Sequence, residues 1–405
     1  MNPTYDWIVV GGGLTGAALG YELSVQGFSV LLLEQHHSLQ GATRYSYGGI
    51  SYWAGTTPLT REIGQSSIER YRYLAAELDG DIQFRETYLM LTIEADTDPK
   101  TLLPTYQQFA IAPKLLTAAE AQNQEPLLKG TKLNGAIRFP QGHVDPIALT
   151  QAYCQALQRR GSTLTIAQVT ELLCQGERCI GVKTNLGHFS ADRVVICAGG
   201  ASRALLRRAN LWAPVYYTQA ELIEIPASTT TSLPRLHSIV MPATDQRGSL
   251  ETDATHPNLE DLWDQPNPQL PPMTTTIFDA GAVQFQSGHI RLGQISRVFP
   301  DPNPLIYGQS SESQIRQGIR NLLPSLADLP GQWHHCPVAF SHDQLPLIGP
   351  IPTMPGVYLF SGFTSPFVFV PPLAQRFAQQ VQQAQSGITA ASQTDPWLSA
   401  MGLDR

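Results

Sequence analysis

The segment Gly11-Gly12-Gly13-Leu14-Thr15-Gly16 lies between an apolar run and a helical pattern, and no other feature of the chain limits its fold as tightly. Before it, Trp7-Ile8-Val9-Val10 is apolar at consecutive positions, as in a parallel strand covered on both faces. After it, Ala17, Ala18, Leu19, Tyr21, Leu23 and Val25 mark a helix over 14–26, with Gly27 as its C-cap. A second apolar run, Val30 to Leu33, ends on Glu34. This order predicts a βαβ unit with a right-handed crossover. Gly11 permits the tight turn, Gly13 the close approach of a pyrophosphate, and Gly16 close packing of helix on strand. The helix N-terminus at Leu14 and Thr15 turns N–H groups and a positive dipole end toward phosphates. Glu34 is placed to bind ribose hydroxyls and disfavours a 2′-phosphate. The motif alone leaves the choice of dinucleotide open.

Further along, Thr57-Pro58 reads as an N-cap with a first-turn proline, opening a helix that carries Ile63, Tyr71, Leu74 and Leu78. Residues 84–93 read as strand. Asp145-Pro146 opens a helix over 147–160 closed by Gly161, and strands follow at 169–174, 180–184 and 193–197. Residues 227–276 are rich in Thr, Pro, Asp and Gln with weak periodicity, so part of this stretch is expected to be a lid or surface excursion. Strand-like alternation returns over 284–298, a strand is expected at 357–360, and a helix is expected to begin near Pro371-Pro372.

At 405 residues the chain is too long for one core, so two domains are expected. A net charge of −7 with no block of Lys or Arg argues against nucleic acid or an anionic membrane as partner. No apolar run approaches about 18 residues, which argues against a membrane span. The five cysteines lack CxxC spacing, so neither a disulfide framework nor a zinc site is expected, and a cytoplasmic location fits.

The chain resembles the D-amino-acid oxidase superfamily of FAD-dependent oxidoreductases, the group that contains glycine oxidase and monomeric sarcosine oxidase. Four ordered segments carry the resemblance: the N-terminal unit, 41–50, 142–202 and 343–363. Gly142-His143-Val144-Asp145-Pro146, Val194-Val195-Ile196-Cys197-Ala198-Gly199-Gly200 and Asp343-Gln344-Leu345-Pro346-Leu347-Ile348-Gly349-Pro350 are the closest matches. The resemblance implies FAD and an α/β fold: a Rossmann-type FAD-binding domain with a second α+β substrate domain on a mixed or antiparallel sheet. The expected domains are 1–80, 141–212 and 333–405 for FAD, and 81–140 with 213–332 for substrate. It further implies that Thr43, Arg44, Gly48 and Gly49 pass near the flavin, that Val169 meets the adenine, and that Ala198, Gly199 and Gly200 lie beside the dinucleotide. Gly349, Gly362, Phe363 and Thr364 are expected near the isoalloxazine or ribityl chain. Each glycine is otherwise an ordinary turn. Flavin chemistry needs no dedicated base, so no catalytic residue is assigned.

Two departures from the family pattern bear on substrate. Val338-Ala339 stands where relatives often carry an arginine that clamps a substrate carboxylate, a role suited to a planar fork. Gly362-Phe363-Thr364-Ser365-Pro366-Phe367 replaces a more polar segment, so the flavin-facing wall is expected to be apolar. Arg44 and Arg297 are the alternative cations, though each reads more readily as a surface or phosphate-pairing arginine. Cys336 lies at the offset before Asp343 where sarcosine-oxidase-like relatives attach flavin covalently; the alternative is a buried apolar thiol. Tyr45, Tyr52 and Trp53 are candidates for the pocket wall or for core. His334 and His335 point to opposite faces of a strand, so they are not expected to share a metal.

The sequence therefore points to oxidation of a C–N bond in an amine or amino acid, with a small-molecule substrate and oxygen or another acceptor as partners. A dehydrogenase of a hydroxy acid or polyol using a non-oxygen acceptor is the second reading. A non-catalytic flavin-binding assembly or sensor protein is the third.

Overall fold

The computed structural model describes residues 4–231, 233–244, 246–387 and 395–404. Two sheets organise them. The first contains eight strands, six of which run in the order Leu347–Pro350, Val357–Ser361, Gly187–Ile196, Thr4–Val10, Val30–Glu34 and Thr163–Ile166. The hairpin Val169–Gln175 and Arg178–Thr184 extends from Gly187–Ile196. The four central pairings are parallel, with Val9 opposite both Leu32 and Val195.

Burial on both faces explains the continuous apolar runs. Trp7, Val9, Val30 and Leu32 pack against the helices Leu14–Val25, Pro58–Glu77, Pro146–Arg159 and Pro366–Gln385. Ile8, Val10, Leu31 and Leu33 face the opposite way, toward Val182, Leu205 and Leu206. The caps form as expected: Thr57 and Thr60 make a reciprocal capping box, and Asp145 Oδ1 accepts from the Ile147 and Ala148 N–H groups at 2.9 Å.

The second sheet has nine strands, with Gln332–Ser341, Val215–Ile225, Ile290–Val298, Ile277–Gln284, Ile239–Pro242, Arg85–Glu94, Leu133–His143 and Gly49–Ile50 in that order. Lys114–Leu116 joins on Leu133–His143. Ile239–Pro242 runs parallel to Arg85–Glu94 and the other pairings are antiparallel, so the sheet is mixed. Helix Gly308–Leu322 covers the face that carries Ile223 and Ile295.

Three differences from the sequence reading have physical causes. Residues 227–276, read as weakly periodic, hold Ile239–Pro242, helices Gln246–Ala254 and Glu260–Trp263, and the buried Leu250 and Trp263. Elements this short leave little periodicity to read. The last long helix starts at Pro366, so Pro371 and Pro372 lie inside it. A proline at 371 cannot donate to the Phe367 carbonyl, which instead accepts from Ser67 Oγ at 3.4 Å. Finally, Gln332–Ser341 and Gly49–Ile50 hydrogen-bond into the second sheet, although both fall in segments expected to belong to the first domain.

Candidate active site

Gly11 has φ +106°, and a Cβ there would sit 2.7 Å from the Cys197 carbonyl oxygen. At Gly16 a Cβ would come within 1.8 Å of the Gly11 carbonyl oxygen. Only glycine lets strand, turn and helix approach this closely. Gly13 is the N-cap of the first helix, and the Leu14 N–H donates to Thr43 Oγ1 at 3.1 Å. Glu34 accepts from the Gly12 N–H at 2.7 Å and the His36 N–H at 3.0 Å, which fixes its carboxylate beside the turn. The side-chain-free turn, the helix N-terminus and the fixed acid fit a dinucleotide with an unphosphorylated ribose.

A cavity of about 330 Å³ opens from this helix end to the inner face of the second sheet. One wall holds Leu14, Thr15, Thr43, Gly199 and the stretch Ser361–Phe367. The other holds Leu89, Gln141, Ala220, Leu222, Ile239, Met241, Gln294, Cys336, Val338 and Ala339. It therefore lies at the carboxyl ends of the parallel strands, between Thr4–Val10 and Gly187–Ile196, where open α/β sheets bind their ligands. Of the residues singled out in the sequence, Leu14, Thr15, Thr43, Tyr45, Gly49, Gly199, Cys336, Gly362, Phe363 and Thr364 line it.

The others lie elsewhere. Gly48 has φ +69° and packs against the Val144 carbonyl, where a Cβ would stand 2.1 Å away. Val169 follows Ala167, whose N–H donates to the Glu34 carbonyl at 2.7 Å, so it stands near the ribose-side acid. Ala198 leads into the short 3-10 turn Gly199–Ala201, and Gly200 packs on Pro337. Gly349 sits within its strand near Leu403. Tyr52 lies off the cavity, half-buried with its backbone against Gly64 of helix Pro58–Glu77, and Trp53 is core, stacked on Phe139 at 3.8 Å.

Charge is kept off the cavity wall. Arg44, one of the two alternative cations, grips Glu224 through two hydrogen bonds of 2.6 Å. Arg291, fully buried, adds a bond of 3.1 Å to the same carboxylate and donates to the Ser46 carbonyl. Arg297 is paired with buried Glu221 and Ser311 Oγ rather than turned to the cavity. Among the described lining residues there is no Arg, Lys, Asp, Glu or His. Tyr45 stacks on His334 at 4.8 Å, while His335 lies near Gln219; burial holds both histidines below their usual pKa. No group of three or more metal-ligating side chains occurs among the described residues. Cys336 is buried at the wall, opposite Ala220.

Sequence reading missed Gln141, Gln294, Leu222, Ile239 and Met241. A signal existed for one of them. Ile137, Phe139 and Gln141 share a strand face by alternation, and a polar residue continuing an apolar row is unusual.

No helix among the described residues is long and apolar enough to cross a membrane. The crystal structure of glycine oxidase from Geobacillus kaustophilus superposes with TM-score 0.77 at 20% identity, covering 100% of this chain and 99% of that one. Iminodiacetate oxidase from Chelativorans sp. BNC1 gives 0.72 at 18% identity, covering 98% of this chain and 100% of that one. Among curated proteins, 4-methylaminobutanoate oxidase (formaldehyde-forming) of Paenarthrobacter nicotinovorans is 23% identical over 95% of this chain and 44% of its own length. Human mitochondrial dimethylglycine dehydrogenase is 27% identical over 54% of this chain and 26% of its own. The chain thus spans less than half the length of these two relatives. The profile of the DAO family, described as FAD dependent oxidoreductase, matches residues 6–380, and the chain belongs to that family of FAD-dependent oxidoreductases.

Proposed function

We propose that this protein oxidises a C–N bond of an amine that it binds without an ionic clamp. The observation that carries this reading is the cavity wall, which is apolar apart from hydroxyl and amide groups and the Cys336 thiol. FAD, when bound, supplies a two-electron acceptor for the hydride leaving the carbon next to nitrogen. Gly11, Gly13, Leu14, Thr15, Gly16 and Glu34 hold its adenosine and pyrophosphate, with Val169 toward the adenine and Ala198, Gly199 and Gly200 alongside. Thr43, Gly48, Gly49, Gly349, Gly362, Phe363 and Thr364 shape the flavin end.

The residues do the rest by exclusion. Leu89, Leu222, Ile239, Met241 and Val338 keep water from the reacting carbon. An ammonium group buried there without a carboxylate would be costly, so the wall favours the uncharged amine, whose lone pair can assist hydride loss. Arg44 and Arg297 are already paired with acids, so a substrate carboxylate gains little from either. Relatives named as oxidases or dehydrogenases of amino compounds support the C–N oxidation; the compounds in their names carry carboxylates, for which this wall offers no cation among the described residues.

Anaerobic mixing of the FAD-loaded protein with a panel of amines and amino acids tests the reading. Bleaching of the visible flavin band by neutral amines, with the limiting rate rising through the amine's own pKa, is the expected outcome. Absence of bleaching with every member would sink it. Admitting air then separates acceptors: rapid return of colour with hydrogen peroxide identifies oxygen, and slow return a carrier or quinone. We propose further that Cys336 bonds covalently to a flavin methyl carbon, because its side chain lies on the cavity wall; the S–H and one methyl C–H bond would break, two protons would leave to solvent, and the two electrons would pass to the flavin and on to its acceptor. Colour retained in the acid-precipitated pellet, and lost from it in Cys336→Ser, is expected.

A further inference from the structure

Gln141 is 3% exposed, lines the cavity, and has its amide orientation dictated by a neighbour. The Trp53 indole N–H donates to Gln141 Oε1 at 2.7 Å. An indole nitrogen can only donate, so the atom facing it must be the amide oxygen, and the NH2 group must point the other way. Trp53 cannot swing to relax this constraint, because it is stacked on Phe139 at 3.8 Å and meets Phe109 edge-on at 5.1 Å. On the far side, Gln141 Nε2 has one long hydrogen bond among the described residues, 3.4 Å to Ser51 Oγ. Gly49 makes room for it, since a Cβ there would lie 2.7 Å from Nε2. One N–H is thereby held as a fixed donor in a wall that is otherwise mostly apolar. Gln294, the other amide on the wall, bonds to the Ser296 hydroxyl at 3.0 Å, and a hydroxyl accepts either amide orientation, so it carries no such constraint.

We infer that Gln141 reads a neutral oxygen acceptor on the substrate, so that the preferred substrate is an amine bearing an amide carbonyl or ether oxygen. The inference rests on the C–N oxidation proposed above and narrows its substrate class. One amide donor satisfies a neutral oxygen but does not neutralise a carboxylate, and among the described residues no cation lines the cavity to do so. A substrate without the oxygen leaves a buried donor unpaired, which is where discrimination arises.

The test uses the FAD-loaded protein and two amines, N-methyl-2-methoxyethylamine and N-methylbutylamine, which differ by one ether oxygen exchanged for a methylene. Anaerobic stopped-flow gives the dissociation constant, from the shift of the flavin band, and the limiting reduction rate separately. Wild type is expected to bind the ether amine about tenfold or more tightly over the hydrocarbon. Gln141→Leu should abolish that ratio by weakening the ether amine alone. Trp53→Phe keeps the stacking and Gln141 itself but frees the amide to rotate, so it should lower the ratio partway. A wild-type ratio near one, or equal weakening of both amines in Gln141→Leu, overturns the inference. Preferential binding that depends on Gln141, without reduction by either amine, overturns the C–N oxidation and leaves the donor assignment standing.

Discussion

Glu224 receives three hydrogen bonds from two arginines, and its acidity follows from them. Burial by itself would raise its pKa, but Arg44 and Arg291 outweigh that and hold it at about 2. A carboxyl depressed in the folded state adds stability that is full above its unfolded pKa and is lost as pH falls through the folded value. Glu224→Gln is therefore expected to cost about 3 kcal/mol at pH 7, because two arginines lose their acid. The gap to wild type should narrow between pH 4.5, the ordinary carboxyl value, and about pH 2, as read by urea unfolding across pH. A pH-independent gap would contradict this account. Arg44 was visible in the sequence as a cation near the flavin loop. Its partner stands 180 residues away, and local pattern carries no trace of it.

At the scale of elements, the βαβ unit was legible because every determinant is local: apolar runs, glycines, a capping glycine and an acid within one short stretch. Gly16→Ala puts a methyl 1.8 Å from a backbone oxygen, so the helix must move off the strand. Placed in a Cys336→Ser background, so that no covalent link masks the effect, it is expected to lose FAD during gel filtration, and retention of full colour would show that the turn tolerates the shift. The C-terminal helix was misread by five residues because prolines usually mark helix starts. What lets Pro371 lie inside is the Ser67 hydroxyl from another helix, a tertiary contact. Ser67→Ala should destabilise by about 1 kcal/mol, measured by urea unfolding, as the Phe367 carbonyl loses that partner. No change would mean that the carbonyl finds water instead. The second sheet was harder to read still. Its strands Ile239–Pro242 and Gly49–Ile50 are four and two residues long, too short for any period to register.

Across the whole molecule, the cavity wall is assembled from strands of both sheets and from loops far apart in the chain, so ligand binding and stability are linked. In Cys336→Ser, where no covalent link can hold the cofactor, stripping FAD should lower the melting temperature, and restoring it at a hundred times its dissociation constant should return about 2.7 kcal/mol. A melting temperature indifferent to FAD would contradict binding at this junction. Fold class was readable because motifs named one sheet; Gln141 as a donor was not, since its orientation depends on Trp53, which sequence places only as an aromatic. Thr4–Val10 pairs with Val30–Glu34 as soon as both exist, but its other edge waits for Gly187–Ile196, and that strand in turn waits for Val357–Ser361. On the ribosome the glycine turn emerges before the strands that flank Thr4–Val10, and the sheet around it stays open until Val357–Ser361 has been made. A nascent chain stalled before residue 357 therefore exposes an apolar strand edge, which makes the growing polypeptide a client for chaperones long before it can hold a cofactor.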